Sequence, residues 1–141
     1  ATVDPADQVV VAGLSVGTLV VDEVQRRLAA DPDNAPSRDQ LRFVKFGSPQ
    51  VLALRAFPPG TLVQILGYTV QPFADSQYDT VTVFGEYDGW ADPPDRRWNL
   101  VADANALVGT QYEHTESSQA YQDGAVNRPG FDAHRLLVCS P

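Results

Sequence analysis

Apolar and polar residues follow two distinct periods along this chain. Residues 8–13, QVVVAG, set three valines in succession with no polar face, which predicts a strand covered on both sides, as in a parallel sheet. From Thr18 the period lengthens. Val20, Val24 and Leu28 recur at i, i+4 and i+8, Asp22, Glu23 and Arg26 are available for the wet side, and DPDNAPS at 31–37 ends the helix. LRFVKFG at 41–47 alternates Leu41, Phe43 and Lys45 against Arg42, Val44 and Phe46, a second strand that closes a β-α-β unit with a right-handed crossover.

Between Ser48 and Asp79 the chain is punctuated by Pro and Gly, and TLVQIL at 61–66 reads as a short strand. YDTVTVFGEYD at 78–88 is a clearer strand, running into the acidic, Pro-rich turn DGWADPP. Trp98, Val101, Ala104, Leu107 and Val108 then recur at helical spacing, with Asp95 as a cap and Gly109 as a stop. RLLVC near the terminus is a last short strand. Neither a repeat nor a linker divides the chain, so the 141 residues read as a single α/β domain. A chain of this size buries roughly 70% of its unfolded surface, enough for a core without disulfide staples.

Composition narrows the function classes. The net charge of −8 disfavours phosphate backbones and anionic lipid headgroups as partners, because both require clustered Lys and Arg. The single cysteine, Cys139, leaves the redox compartment open and argues against a cysteine-rich metal site. The apolar stretch from Val9 to Val21 is too short to span a bilayer and follows Asp4 and Asp7, not a basic segment, so it reads as neither anchor nor signal peptide. A start at Ala1 without any Met fits initiator removal, a cleaved export signal or excision from a longer precursor.

The candidate chemistry lies where the two periods meet. Gly13-Leu14-Ser15-Val16-Gly17 is a Gly-x-Ser-x-Gly pentapeptide between a strand and a helix. In that setting a serine occupies a strained turn that lifts its hydroxyl above the sheet, small residues on either side let strand and helix approach, and the next amide, Val16 N–H, serves as an oxyanion donor. The bland alternative is a serine in an ordinary turn. A nucleophilic Ser15 needs a base, and His114 and His134 are the two histidines. His114 follows a helix in a loop position; His134 abuts the last strand at its N-terminal side, the wrong end of the sheet if that strand is parallel. Asp88, at the end of the 78–88 strand, suits the orienting carboxylate, with Asp92 as runner-up. Glu86, Asp88, Asp92 and Asp95 lack the spacing of a calcium loop, so no metal is expected.

YDGWADPP at 87–94, NLVADANALVG at 99–109 and YEH at 112–114 resemble the PE-PPE domain, an actinobacterial family of cutinase-like serine α/β hydrolases. VVVAGLSVG, RRLAADP and LRFVKFGSP resemble the same family's serine region and following strand, so that the resemblance covers about residues 8–114. It implies an α/β-hydrolase-like, mostly parallel sheet flanked by helices. It further implies esterase or lipase activity on acyl esters, no cofactor, and secretion or cell-envelope association. Carried over by position, the triad is Ser15, an aspartate of the YDGWAD block and His114. The chain departs from the family at Val16, where glutamine is frequent, and at Gly47-Ser48-Pro49, where Gly-Asp-Pro is frequent.

Related domains also carry a strand and loops before the elbow, one of which supplies a second oxyanion donor. Here seven residues precede the first strand, so the domain is expected to be partial, its sheet completed by a preceding segment, a partner chain or a second copy. Two functions follow: a serine esterase acting through Ser15, His114 and Asp88, or a non-catalytic interaction module that retains a hydrolase framework within a larger assembly.

Overall fold

The computed structural model describes residues 8–85, 88–94, 99–114 and 137–139. Strand β1 (Val9–Leu14), helix α1 (Gly17–Ala30) and strand β2 (Leu41–Phe46) form the β-α-β unit that the change of period predicts. β1 and β2 pair in parallel, as do β2 and β5 (Asp79–Val83), and β6 (Leu137–Cys139) adds antiparallel to β5. The sheet order is therefore β1-β2-β5-β6. With α2 (Gln50–Ala56) and α3 (Leu100–Glu113), the described residues form an α/β domain whose three parallel strands are flanked by three helices.

One face of β2 makes the core. Phe43 is fully buried, and with Leu41, Val21 and Tyr78 it forms a cluster bordered by Val9, Val11, Val24 and Leu28. The Phe43 and Tyr78 rings meet edge-on at 5.6 Å, and the Tyr78 hydroxyl donates to Pro36 O at 2.7 Å. Lys45 points to this same face, two residues beyond Phe43. Its Nζ donates to Asp22 Oδ1 at 2.9 Å, and Asp22 is completely buried. A charge removed from water is tolerable when it gains a partner of opposite sign.

That pair corrects the expected orientation of α1 in part, since Val24 and Leu28 border the core as expected. Thr18, Leu19, Val21, Asp22 and Gln25 face inward, while Val20 is 64% exposed. The helix leaves the elbow with its polar positions toward the sheet, where Lys45 meets Asp22 and the Thr80 hydroxyl meets Gln25 Nε2 at 2.7 Å. β1 differs as well: among the described residues it is the outermost strand, and Val10 is 54% exposed. α1 covers one face of β1, so its valines alternate between core and surface instead of being covered on both sides.

The 61–66 stretch is a strand for two residues only. β3 (Leu62–Val63) turns through a 3-10 segment, Gln64–Leu66, and Gly67 at φ +58° to pair antiparallel with β4 (Tyr68–Thr69). α3 likewise departs from expectation at both ends. Asn99 caps it, its side chain accepting from Ala102 N at 3.3 Å, whereas Asp95 and Trp98 lie outside the described residues. The helix passes through Gly109 and ends at His114. It turns Ala106 and Gly109 inward and leaves Val101, Leu107 and Val108 exposed. Gly89 packs so closely against this helix that a Cβ on it would lie 2.9 Å from Ala106 O.

Candidate active site

The parallel strands end at one edge of the sheet, and the turns that follow β1, β2 and β5 gather there. Open α/β sheets bind ligands at that edge. β1 stops at Leu14 and α1 starts at Gly17. Ser15, between them, has φ +53°, and among the described residues no other non-glycine has positive φ. This backbone region is unfavourable for an L-residue, so the surrounding structure must impose it. Two bonds do so: Ser15 N donates to Phe46 O at 2.8 Å, and Thr18 N donates to Ser15 O at 3.0 Å.

The glycines on either side have unequal tasks. A Cβ on Gly13 would fall 2.8 Å from both Gly17 O and Val21 Cγ2, so strand and helix could not approach as they do. A Cβ on Gly17 would meet nothing within 4 Å. The expectation that both positions must be small therefore holds for Gly13 alone.

Ser15, His114 and Asp88 lie in one hydrogen-bonded line. His114 Nε2 is 2.7 Å from Ser15 Oγ, and His114 Nδ1 is 2.7 Å from Asp88 Oδ2. A carboxylate only accepts, so Nδ1 carries the proton donated to Asp88, and in the neutral imidazole the Nε2 lone pair then faces the serine hydroxyl. Asp88 is completely buried, and its second oxygen, Oδ1, accepts from Trp90 N at 3.0 Å. The Val16 amide follows Ser15 at the N-terminus of α1, where backbone N–H groups have no intrahelical acceptor.

Asp88 does not end a strand, since β5 stops at Val83 and Glu86 and Tyr87 lie outside the described residues. A turn fixes it instead. Asp88 N donates to Gly85 O, and Asp88 O accepts from Ala91 N at 3.0 Å and Asp92 N at 2.6 Å. Asp92 thus contributes its amide to the turn, and the carboxylate that meets His114 is that of Asp88. His134 lies outside the described residues. The reason for setting it aside does not hold, because β6 runs antiparallel to β5 and its N-terminal end is at the same edge of the sheet as Ser15.

Two contributors escape sequence reasoning. Gly47, at φ +56°, backs the imidazole and carboxylate: a Cβ there would sit 2.9 Å from His114 Cε1 and 3.2 Å from Asp88 Oδ2. Thr18 and Ser48, both buried, join their hydroxyls at 3.0 Å beside the elbow. A glycine at the end of a strand was the available signal for Gly47. The hydroxyl pair had none, because its members are 30 residues apart. Among the described residues no three His, Cys, Asp or Glu side chains gather as a metal site, and no helix is long and apolar enough to cross a membrane. Glu86 and Asp95 lie outside them.

Beside the Asp88 turn lies an apolar groove of about 310 Å³, walled by Leu52, Trp90, Pro93, Pro94, Ala106 and Leu107. It reaches Thr110, one helical turn before His114.

The PE-PPE domain matches residues 1–133. The chain is 53% identical over 116 residues to a Mycobacterium tuberculosis protein named SL1278 acyltransferase Chp1, covering 82% of this chain and 28% of that protein. It is 46% identical to diacyltrehalose acyltransferase Chp2 of the same organism, over 79% of this chain and 33% of the relative. Esterase PE16, also from that organism, is 41% identical over 77% of this chain and 21% of its own length. The chain thus spans about a third or less of these relatives. No solved structure matches it. With the family matched over nearly its whole length, the chain belongs to the PE-PPE domain family.

Proposed function

We propose that this chain carries out acyl transfer from carboxylic esters through Ser15, in an α/β-hydrolase-like domain. The observation that carries the reading is the unbroken line from Ser15 Oγ through His114 to Asp88, at 2.7 Å for each bond. In this reading His114 Nε2 takes the hydroxyl proton as Ser15 Oγ attacks the ester carbonyl. Asp88 holds the Nδ1–H tautomer and offsets the imidazolium charge. The Val16 amide meets the developing oxyanion.

The tetrahedral adduct collapses by breaking the bond to the alcohol oxygen, which leaves with the proton from His114. The acyl group stays on Ser15. A second hydroxyl compound then gives its proton to His114 and attacks the acyl-serine, and the acyl–Oγ bond breaks as His114 returns that proton to Ser15 Oγ. Water makes the enzyme an esterase, and an alcohol makes it an acyltransferase. Relatives named for each outcome support the shared first half-reaction. None of these steps calls for a cofactor.

The test is turnover of p-nitrophenyl acyl esters. Wild type is expected to release p-nitrophenol, and Ser15→Ala to release none above background while melting near the wild-type temperature. The hydroxyl removed lies in a strained turn and binds the imidazole, so its loss does not disturb the core. Turnover retained at a tenth or more of the wild-type rate would identify another nucleophile. A folded wild type without turnover would favour the non-catalytic module.

A further inference from the structure

Thr18 binds the Ser15 carbonyl twice. Its N–H donates at 3.0 Å and its Oγ1–H at 2.7 Å. The same hydroxyl lies 3.0 Å from Ser48 Oγ. A hydroxyl has one proton to give. With the Thr18 proton directed to Ser15 O, the Ser48 hydroxyl donates to Thr18 Oγ1, and a relay runs from Ser48 through Thr18 to the elbow carbonyl. Thr18 is completely buried and Ser48 is 7% exposed. Two apolar side chains of similar volume would fill this space without the cost of desolvating two hydroxyls.

The consequence lies on the other side of the peptide. Ser15 C=O and Val16 N–H belong to one planar trans unit and point in opposite directions. Fixing the carbonyl therefore aims the amide. The Thr18 N–H holds that carbonyl from the first turn of α1, and the Thr18 hydroxyl gives it a second donor from a different direction. Phe46 O accepts from Ser15 N at 2.8 Å, which ties the preceding peptide to the same turn after β2.

We infer that the Thr18–Ser48 hydroxyl pair is the device that aims the Val16 amide at the oxyanion. Thr18 and Ser48 are positioning residues, neither touching substrate, and the inference rests on the proposed acyl transfer at Ser15. The relay acts on charge that exists only in the transition state, so its loss lowers kcat and leaves KM in place.

The experiment measures kcat and KM for a p-nitrophenyl acyl ester in wild type, Thr18→Val, Thr18→Ser, Ser48→Ala and the Thr18→Val/Ser48→Ala double variant. Thr18→Val keeps the shape and removes the oxygen; its kcat is expected to fall by about a hundredfold at unchanged KM. Thr18→Ser restores the hydroxyl and is expected to recover most of kcat. Ser48→Ala should lose less than Thr18→Val, and the double variant little more than Thr18→Val, as members of one chain do. Should Thr18→Val fail to fold, Ser48→Ala against Thr18→Ser decides the matter: kcat lost in the first and kept in the second supports the relay. An active wild type with unchanged kcat in Thr18→Val or Ser48→Ala, or additive losses in the double variant, overturns the relay alone. An inactive, folded wild type overturns the acyl-transfer reading and the relay with it.

Discussion

Gly47 Cα lies against the imidazole of His114 so closely that a Cβ built on it would fall 2.9 Å from Cε1 and 3.0 Å from Nδ1. The turn after β2 thus forms the wall against which the histidine rests. Gly47→Ala is expected to displace the ring from Ser15 and to cut turnover by about a hundredfold. The φ of +56° adds a backbone penalty of about 1 kcal/mol for any L-side chain. Ester kinetics and a denaturant melt together check both effects.

Asp88→Asn is expected to lower kcat by roughly a thousandfold or more, because the amide no longer enforces the Nδ1–H tautomer. Asp92→Asn is expected to lose much less, since the contribution of Asp92 to the Asp88 turn is a backbone N–H. Side-by-side kcat values decide it, and equal losses would remove Asp88 from its role.

Lys45 and Asp22 test the core separately from the chemistry. Lys45→Met leaves the carboxylate of Asp22 completely buried without its ion partner, and its Oδ2 makes no hydrogen bond to begin with. Breaking such a pair on one side costs about 3 kcal/mol or more. The Lys45→Met/Asp22→Leu double variant is expected to recover most of that loss in a urea melt. Stability unchanged in the single variant would mean that the pair is solvated.

The outer edge of β1 is expected to bind another strand. Val9 N and Ser15 N donate toward β2, so by the alternation of a parallel ladder the amides of Val10, Ala12 and Leu14 point the other way. Exposed strand edges recruit partners. The 141-residue chain is expected to self-associate there. Ala12→Pro removes one outward amide at a position where an edge strand accepts proline, and is expected to shift native mass spectra toward monomer while preserving the fold. A wild type that is already monomeric at high concentration would contradict this.

The β-α-β unit was legible because the apolar period changes at Ser15, where the elbow also falls. The positions of Ser15 and His114 were legible from the pentapeptide and the family-like blocks around it. What stayed hidden depended on partners distant in sequence. Asp22 reads as a solvent-facing charge until β2 places Lys45 beneath it. Val10 reads as core because three valines in a row say nothing of where their strand lies in the sheet. The α3 stripe of Val101, Leu107 and Val108 reads as the buried face, yet the helix buries Ala106 and Gly109 instead, with Gly89 packed against Ala106. Asp88 was chosen as a strand-end residue, whereas a turn holds it beside His114.

The most direct test of the central claim is intact-mass analysis after incubation with a fluorophosphonate, which reacts with serines activated by a neighbouring base. The account predicts one adduct per chain in wild type, none in Ser15→Ala, and greatly slowed labelling in His114→Gln. An adduct that persists in Ser15→Ala, or a folded wild type that stays unlabelled, would contradict it.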